Sequence, residues 1–358
     1  MKRILWALLL ALLATALCCG KAGALTAGAV SAVSEKAAAA QENLVVELTV
    51  EVPTAAASPV PTPVPTPEPT EAVAPVAEPT ATPVPTPFSI IWLPDTQQLS
   101  YRNPERLEQI GHWIAEHMEE QNAVCVVHTG DIVDNGYKEW QWENFDCALQ
   151  AFSDRIPFVP VAGNHDIGVK LQEYDAYVQR DFLNVFPEEQ KYAGGKMLYH
   201  ILEAGNERIL LLGIGWSAGQ SEEELEWIDG VLRRYADLPC ILITHGYVND
   251  QKRILPSHRY LETKVVAKYP NIRLVLSGHS REYYTMTFSY DDDGDGIRER
   301  SVTAMMLNRQ GKSYCFRVLT FDPLARTIDV KTYSPDPEQT VEENSQFGPI
   351  DFRVENAF

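Results

Sequence analysis

Polar side chains that can bind metal ions follow five separate apolar runs of the sequence. The five groups are Asp95-Thr96-Gln97, Gly130-Asp131-Ile132-Val133-Asp134, Gly163-Asn164-His165-Asp166, Thr244-His245-Gly246 and Gly278-His279. Carboxylate oxygens, amide oxygens and imidazole nitrogens are ligands for divalent ions such as Mn²⁺, Fe²⁺ and Zn²⁺. A single histidine of this kind would be interpreted as a hydrogen-bonded core residue, whereas five such groups in order predict a metal site.

The apolar runs themselves are predicted to be β-strands that alternate with helices. Predicted strands cover 88–94, 123–128, 156–161, 240–244 and 272–277, and predicted helices cover 104–120, 138–152 and 171–183. Ser221, followed three residues later by Glu224, is typical of a capping box, and residues 284–333 are predicted to form a β-meander. This alternation favours a mixed sheet covered by helices, in which ligands collect at the carboxyl ends of the strands.

An acidic composition limits the partners of this protein. Its 358 residues include 30 Lys plus Arg and 49 Asp plus Glu, which gives a formal net charge of −19, and 45% of the residues are hydrophobic. Binding to nucleic-acid phosphates needs clustered basic side chains, so we expect no nucleic-acid partner. For the same reason we expect no direct binding to an anionic membrane surface. The hydrophobic fraction is sufficient for a sizeable core.

Residues 1–24 are predicted to be an export signal and not part of the fold. Lys2 and Arg3 precede an apolar run over 4–17, which is shorter than the ~20 residues that span a membrane. Cleavage after residue 24 is one reading, lipid modification at Cys18 or Cys19 is a second, and an uncleaved anchor helix is a third. We expect an exported protein, extracellular or attached to the cell envelope, with membrane contact only through such a lipid anchor.

Residues 25–87 are predicted to be a disordered linker. The segment is Ala-rich at first and then Pro- and Thr-rich, and half of the chain's 24 prolines lie within 53–87. A proline-rich stretch favours the polyproline II conformation and cannot bury a core. The linker is therefore either a stalk or a spacer without a specific role, and the globular domain is expected to cover 88–358.

The order and spacing of the five polar groups resemble those of the calcineurin-like metallophosphoesterases, over essentially all of 88–358. The family pattern is D-x-H, G-D-x-x-D, G-N-H-D or G-N-H-E, a lone H, and G-H-x-H, and here GDIVD and GNHD match it fully. More narrowly, the chain resembles a secreted bacterial branch that opens with D-T-Q and ends near a TFDP and TYSP strand pair, here 320–323 and 332–335. The resemblance implies an α/β fold, a four-layer sandwich of two mixed β-sheets flanked by helices, here with a C-terminal β-meander.

The resemblance also implies two metal sites and a catalytic acid. The implied metal ligands are Asp95, Gln97, Asp131, Asn164, His245 and His279. Asp131 would bridge the two ions, Asp95 and Gln97 would complete the first site, and the other three residues would complete the second. His165 would face the leaving group, and Asp134 would orient it through a hydrogen bond.

Two positions depart from the family pattern, and both lie at the first site. Gln97 stands where most members have a ligating histidine, and its amide oxygen favours Mn²⁺, Mg²⁺ or Ca²⁺ over Zn²⁺. Arg281 stands at the final histidine of G-H-x-H, and a guanidinium offers no lone pair to a metal ion. Our hypothesis is that the first site is weak or empty and that Arg281 binds a substrate phosphate instead. Alternatively, Arg281 points away and pairs with a surface carboxylate.

These residues predict an exported, metal-dependent phosphoesterase that hydrolyses a phosphate mono- or diester by metal-activated water. Two ions can share a hydroxide and clamp the phosphate, and His165 can protonate the leaving group. The alternative is a catalytically weakened surface protein of the same fold that binds phosphate ligands without turnover. We expect a monomer, with a small phosphate ester as its partner and divalent metal ions as its cofactors.

Three further features have simpler explanations. His128, at the end of a predicted strand, is expected to be structural, and His258 is expected to lie at a helix start. Residues 291–296 have the spacing with which an EF-hand calcium loop begins, but position twelve is Val302 instead of a bidentate Glu. A hairpin turn is therefore favoured there, and a weak calcium site is the alternative.

Overall fold

The computed structural model describes residues 85–167, 186–336, 341–343 and 346–358. The strands in chain order are β1 (Phe88–Leu93), β2 (Ala123–His128), β3 (Phe158–Pro160), β4 (Lys191–Tyr192), β5 (Met197–Ala204), β6 (Glu207–Ile214), β7 (Cys240–Thr244), β8 (Ile272–Ser277), β9 (Glu282–Tyr290), β10 (Arg300–Asn308), β11 (Phe316–Asp322), β12 (Thr327–Tyr333) and β13 (Phe352–Val354). The helices are α1 (Gln97–Arg102), α2 (Pro104–His117), α3 (Glu139–Leu149), α4 (Glu222–Arg234) and the short α5 (Arg259–Leu261), which continues as a π-helical turn over Glu262–Val266.

These strands form two mixed sheets. Sheet A has the order β13-β12-β11-β1-β2-β3, and sheet B has the order β4-β5-β6-β7-β8-β10-β9. In sheet A, β1, β2 and β3 run parallel and β11 is antiparallel to β1. In sheet B, β6, β7, β8 and β10 run parallel. The predicted α/β fold of two mixed sheets with flanking helices is confirmed.

Alternate side chains of sheet B enter two different hydrophobic clusters, one on each face. Along β7, Ile241 and Ile243 belong to the cluster shared with sheet A, while Cys240 and Leu242 belong to the cluster that includes α4 and α5. Side chains alternate between the faces of a strand, and a strand buried on both faces is apolar throughout, which explains the continuous run CILIT. Helices α2 and α3 pack on the outer face of sheet A, so the layers are helices, sheet A, sheet B and helices.

Two of the three predicted helices in the first half of the domain are present with shifted ends. The helix predicted over 104–120 ends at His117, and the helix predicted over 138–152 covers Glu139–Leu149. The third, predicted over 171–183, lies outside the described residues, as do the predicted signal and all but the last three residues of the predicted linker. Within the described part of the chain, no helix is long and apolar enough to cross a membrane.

The sequence signals for helix starts succeeded for α4 and failed for α1. Ser221 Oγ accepts a hydrogen bond from the Glu224 N–H at 3.2 Å, and Glu224 Oε2 accepts one from the Ser221 N–H at 3.0 Å, which confirms the capping box. Helix α1 has only six residues, and its N-cap Thr96 makes no side-chain capping bond. Because neither periodicity nor a cap marks it, α1 was not predicted.

The C-terminal strands form two hairpins in different sheets, which corrects the prediction of one β-meander over 284–333. Strands β9 and β10 pair antiparallel in sheet B, and β11 and β12 pair antiparallel in sheet A. Residues 309–315 carry the chain from one sheet to the other. An alternating pattern identifies a strand but does not tell which neighbour it joins, here β8 for β10 and β1 for β11.

His128, at the end of β2, joins the loop after β1 to the loop after β2. It is fully buried, its Nδ1 accepts from the Gly130 N–H at 3.0 Å, and its Nε2 donates to Thr96 Oγ1 at 3.0 Å. Thr96 Oγ1 in turn donates to the carbonyl of Ile132 at 3.0 Å. Burial lowers the pKa of His128 to about 3, and the positive charge of His245 adds to this shift. The neutral ring is therefore structural, as predicted.

Two glycines in the middle of helices are expected to respond to alanine in opposite directions. A Cβ at Gly230 in α4 would have nothing within 4 Å, whereas a Cβ at Gly111 in α2 would lie 2.2 Å from the carbonyl oxygen of Ala148 in α3. Gly230→Ala should raise the free energy of unfolding by about 1 kcal/mol, because alanine favours the helix. Gly111→Ala should lower it by about 1–3 kcal/mol, because the helices must separate. Urea unfolding measures both, and shifts of equal sign would contradict the helix contact.

Replacing His128 should make the protein less sensitive to acid. The unfolded state binds a proton near the ordinary pKa of 6.5, while the folded state resists protonation down to about 3. Stability contributed by the neutral ring is therefore lost as the pH falls from 6.5 towards 3. Between pH 7 and 5, this amounts to about 2 kcal/mol, and His128→Gln should remove that loss. Urea unfolding at both pH values, with chelator present, measures the difference.

His112→Gln is the matched control, because His112 is exposed on α2. This variant should keep the pH dependence of the unmodified protein. If His128→Gln also kept it, the buried neutral imidazole would not be a source of acid sensitivity.

Candidate metal centre

Polar groups from both sheets meet at the carboxyl ends of the parallel strands. His245, which follows β7 in sheet B, donates from Nδ1 to the carbonyl of Thr129, which follows β2 in sheet A, at 2.8 Å. The backbone N–H of His279, after β8, donates to the two oxygens of Asp95, after β1, at 3.1 and 3.2 Å. The loops of the two sheets are thus hydrogen-bonded to one another, and the structure brings all five polar groups together.

Three side chains surround the Nε2 atom of His245. Nε2 lies 3.1 Å from Asn164 Oδ1, 3.2 Å from His279 Nδ1 and 3.3 Å from Asp131 Oδ2. Because Nδ1 of His245 donates its proton to a backbone carbonyl, Nε2 is the atom left to bind an ion or a second proton. Two imidazoles, one carboxylate and one amide oxygen suit Mn²⁺, Fe²⁺ or Zn²⁺, so these four residues fit a divalent ion.

The buried carboxylate of Asp131 attracts positive charge to this point. Asp131 is 2% exposed and His245 is fully buried. Burial raises the pKa of Asp131, but the charge of His245 and its hydrogen bond outweigh burial and hold the pKa below its usual value. Burial likewise lowers the pKa of His245, but Asp131 raises it to about 9. The attraction that retains a proton on His245 would act equally on a metal ion.

The residues predicted as ligands of the first metal site lie close together. Their carboxylates accept hydrogen bonds from side-chain amide N–H groups. Gln97 donates from Nε2 to Asp131 Oδ2 at 3.1 Å, and Asn308 donates from Nδ2 to Asp95 Oδ2 at 2.7 Å. The amide oxygen of Gln97 is directed elsewhere, since it accepts from Gln310 Nε2 at 2.8 Å. Burial raises the pKa of Asp95 well above its usual range, and the negative charge of Asp131 adds to the rise.

The backbone at two of the strand ends is strained. Asp131 and His279 have φ values of 54° and 64°, in the left-handed region that non-glycine residues seldom adopt. Such conformations cost about 1–3 kcal/mol and persist where the surrounding structure enforces them. Gly278, next to His279, also lacks room for a side chain, because a Cβ there would lie 2.0 Å from Asp95 Oδ1. These close approaches bring the side chains of different loops to one point.

His165 is oriented by the backbone carbonyl of Asp134. The sequence predicts the carboxylate of Asp134 in this role, and that prediction is wrong. Nδ1 of His165 donates to the carbonyl oxygen of Asp134 at 2.7 Å, whereas the carboxylate Oδ1 lies 3.8 Å away. That carboxylate accepts from Gln98 Nε2 at 3.3 Å. The backbone N–H of His165 donates to Asp131 Oδ1 at 2.9 Å, so the residue also holds the proposed bridging carboxylate in place.

Asp166 fixes the loop that carries Asn164 and His165. It is fully buried, and its two oxygens accept from the backbone N–H groups of Val133 at 3.0 Å and Gly163 at 2.7 Å. Burial raises the pKa of Asp166 to about 7, and the charge of Asp131 adds to the rise. The GNHD motif therefore uses its last residue to hold two loops together.

Trp216 packs against three histidines at the centre. The centroid of its indole lies 4.7 Å from that of His279, 4.8 Å from His258 and 5.5 Å from His245. His258 is 3% exposed and lies in a 3₁₀ turn just before α5, as predicted for a helix start. Burial, together with the nearby charges of the other two histidines, lowers the pKa of His258 to about 4. The indole limits the rotation of the imidazoles that line the site.

A cavity of about 480 Å³ opens beside these groups. Asp131, Asn164, His165, Arg102 and Arg281 are among its lining residues. Both arginines are exposed. No residue that the structure describes forms an ion pair with Arg281, and its predicted pairing with a surface carboxylate is therefore not seen among those residues. Two arginines therefore contribute to the wall of the cavity.

Asn308 and Gln310 were missed by the sequence reasoning. Asn308 ends β10 and Gln310 follows it, and β10 runs parallel to β8, so both residues lie at the same end of sheet B as His279. A signal in the sequence could have identified both residues. Like the five polar groups, they come just after an apolar run, here 304–307. The prediction of a meander concealed this, since it placed β10 outside the parallel part of the sheet.

The acidic loop 291–299 connects β9 and β10, which confirms the predicted hairpin turn. Carboxylate oxygens of four exposed residues lie within 4.8 Å of one another: Asp291, Asp293, Asp295 and Glu299. Asp291 accepts from the N–H groups of Gly294 at 2.7 Å and Gly296 at 2.8 Å. Binding of calcium there remains a prediction.

Comparisons with known proteins agree with this geometry. The family of calcineurin-like phosphoesterases (Metallophos) matches residues 88–283, more than half of the chain. The uncharacterized protein YvnB of Bacillus subtilis is 31% identical over 258 residues, which cover 69% of this chain and 20% of that protein. A probable cyclic nucleotide phosphodiesterase of Moraxella catarrhalis is 22% identical over 168 residues, which cover 44% of this chain and 58% of that protein. The chain thus spans less than two thirds of the length of either relative.

A solved structure shares the fold at low sequence identity. The purple acid phosphatase PPD1 from yellow lupin (Lupinus luteus) superposes with a TM-score of 0.53 at 15% identity, covering 77% of this chain and 55% of that one. At this identity the likeness concerns the fold alone. With the family match over 88–283, the chain belongs to the calcineurin-like phosphoesterase family.

Proposed function

We propose that this protein hydrolyses a phosphate mono- or diester of a small molecule with the help of a divalent metal ion. The observation that carries the proposal is the convergence of Asp131, Asn164 and His279 on His245 Nε2, all within 3.3 Å. These four residues would hold a divalent ion, which would supply Lewis acidity and a more acidic water molecule as the nucleophile. This donor set suits Mn²⁺, Fe²⁺ and Zn²⁺.

His165 is proposed as the acid that protonates the leaving group. Its Nδ1 is committed to the carbonyl of Asp134 at 2.7 Å, which leaves Nε2 as the atom that can deliver a proton. His165 also lines the cavity that would contain the ester. A positioned acid of this kind typically contributes ~10²–10⁴-fold to the rate.

Arg281 and Arg102 are proposed to bind the phosphate or a second anionic group of the substrate. A guanidinium can hold two phosphate oxygens at once through its planar fork. Both arginines line the cavity, in a chain whose net charge of −19 would otherwise repel an anion. Similarity to a probable cyclic nucleotide phosphodiesterase supports a diester as the first substrate class to test.

We further propose that the protein is exported and that it is a monomer. The basic start at Lys2 and Arg3, the apolar run over 4–17 and the proline-rich segment 53–87 support a signal and a linker before the phosphoesterase domain. A protein can have this fold without catalysing hydrolysis. Phosphate binding without hydrolysis is therefore the second candidate function. The departures at Gln97 and Arg281 are the observations that favour it.

Hydrolysis of aryl phosphate esters should separate the two functions. The full chain with added Mn²⁺ is expected to release the aryl alcohol from a bis-aryl phosphodiester and from an aryl phosphomonoester, followed by absorbance. Asp131→Asn should reduce the rate to that of buffer with Mn²⁺, because the carboxylate is central to the ion site. If the unmodified chain shows no more activity than Asp131→Asn but binds inorganic phosphate, the binding function is supported.

Substitution of His165 and of Asp134 should have unequal effects on kcat. His165→Asn is expected to lower kcat by ~10²–10⁴-fold because the proton donor is lost. Asp134→Ala keeps the backbone carbonyl that orients His165, so its effect should be smaller than the ~10–100-fold that is typical for outer partners of a metal site. Steady-state kinetics on an alkyl phosphodiester measures both, because an alkoxide leaving group needs a proton more than an aryloxide does. Equal losses would mean that the carboxylate of Asp134, and not its carbonyl, controls the imidazole.

A further inference from the structure

We propose that this protein binds one metal ion tightly, and that Gln310 prevents a second ion from binding at the first site by fixing the orientation of Gln97. The inference rests on the proposed function only in that it needs the site formed around His245. It concerns the number of ions bound and can be tested without any substrate.

The orientation of Gln97 follows from a chain of three hydrogen bonds that begins at a backbone donor. The N–H of Gln98 donates to Gln310 Oε1 at 3.1 Å. A backbone N–H can only donate, so the oxygen of Gln310 must face it, and the amide nitrogen of Gln310 must face the other way. That nitrogen donates to Gln97 Oε1 at 2.8 Å. The nitrogen of Gln97 is consequently turned towards Asp131, where it donates to Oδ2 at 3.1 Å.

This orientation removes the only oxygen that Gln97 could offer to an ion. A metal ion bound by Asp131 Oδ2 on the side of Gln97 would meet an NH₂ group, which has no lone pair for coordination. Turning Gln97 over would direct its NH₂ group at the NH₂ group of Gln310. Correcting that contact by turning Gln310 over would direct the NH₂ group of Gln310 at the N–H of Gln98. The three bonds therefore hold Gln97 in the orientation that excludes an ion.

Asp95 is surrounded by donors in the same way. Its carboxylate accepts from the His279 N–H at 3.1 and 3.2 Å and from Asn308 Nδ2 at 2.7 Å. Asn308 Nδ2 also donates to the carbonyl of His279 at 3.2 Å, so both of its hydrogens have acceptors and the amide orientation is determined. Both oxygens of Asp95 that a first ion would have to coordinate therefore already accept hydrogen bonds.

The last position of the first site holds a cation. Arg281 stands where the resemblance places a ligating histidine, and it lines the same cavity as Asp131 and Asn308. An always-protonated guanidinium repels a divalent ion and cannot ligate it. The residues present thus fit an ion at the second site and do not fit one at the first.

The side-chain oxygen of Asn308 is a feature that would favour a cation at the first site. Oδ1 of Asn308 is buried and has no hydrogen-bond partner among the described residues. A buried amide oxygen without a partner is costly, and a cation beside it would relieve that cost. Two tightly bound ions would therefore assign the first site to Asp95, Asp131 and Asn308, and would contradict the inference.

Metal counting on Gln310→Glu tests the inference. Glutamate still accepts from the Gln98 N–H, but it cannot donate to Gln97 Oε1, so Gln97 should turn over and direct its oxygen towards Asp131. The full-length chain is stripped with chelator, titrated with Mn²⁺ by calorimetry, and analysed for metal after dialysis. We expect one ion per unmodified chain and two per Gln310→Glu chain, with the affinity for the second ion raised by ~10–100-fold.

Three further variants serve as controls. Gln98→Glu adds the same charge to the same cavity wall but leaves the backbone N–H and the Gln97 amide unchanged, so it should still bind one ion. Gln310→Leu removes the fixing bond without adding charge, and it should also tighten the second ion. His245→Ala should abolish tight binding altogether, which identifies the ion that the unmodified chain holds.

The outcomes separate this inference from the proposed function. Two tight ions in the unmodified chain, or one ion in a Gln310→Glu protein whose circular dichroism and melting temperature are unchanged, would overturn it. A second ion gained equally by Gln98→Glu and Gln310→Glu would also overturn it, because charge alone would then explain the gain. Loss of aryl-ester hydrolysis with one ion still bound would count against the proposed function and leave the inference intact.

Discussion

The buried carboxylate of Asp131 is the interaction on which the arrangement of this centre depends. An ionised carboxylate removed from water needs compensating charge and hydrogen bonds. Asp131 receives them from the backbone of His165, the amide of Gln97 and the imidazole of His245. Each of these partners follows a different strand, and one of them belongs to the other sheet. The requirements of a single side chain therefore fix the relative positions of several loops, and the ion site results from this arrangement.

Much of the fold and the positions of the proposed ligands were predictable because one physical rule applies to both. Strands buried on two faces are continuous apolar runs, and such runs are visible in the sequence for β1, β2, β3, β7 and β8. Polar residues directly after them must lie at the carboxyl ends of parallel strands. Asp95, Asp131, Asn164, His245 and His279 were all identified in this way, and the structure places them within one group.

The features that the sequence did not predict depend on contacts between distant segments. Strand β10 was recognised, but its parallel pairing with β8 was not, and Asn308 and Gln310 were therefore overlooked. Asp134 was assigned an orienting carboxylate, whereas the bond to His165 comes from its backbone carbonyl, which any residue at that position would provide. The direction of the Gln97 amide is set by Gln310, 213 positions away. Residue type shows which atoms are available, while the fold decides which of them face the ion.

The division of the C-terminal hairpins between the two sheets has a consequence for the order of folding. Strand β1, which leads to Asp95, pairs with β11, and Ser89 contacts Thr320 across 231 positions of sequence at 2.9 Å. Contacts between such distant segments form slowly, because a long loop must close before they add stability. A partly synthesised chain that ends before β10 lacks both the outer neighbour of β1 and the amide that holds Asp95. The hydrogen bonds that hold Asp95 can therefore be completed only after nearly the whole domain has been made, whereas Asp131, Asn164, His245 and His279 all precede β10.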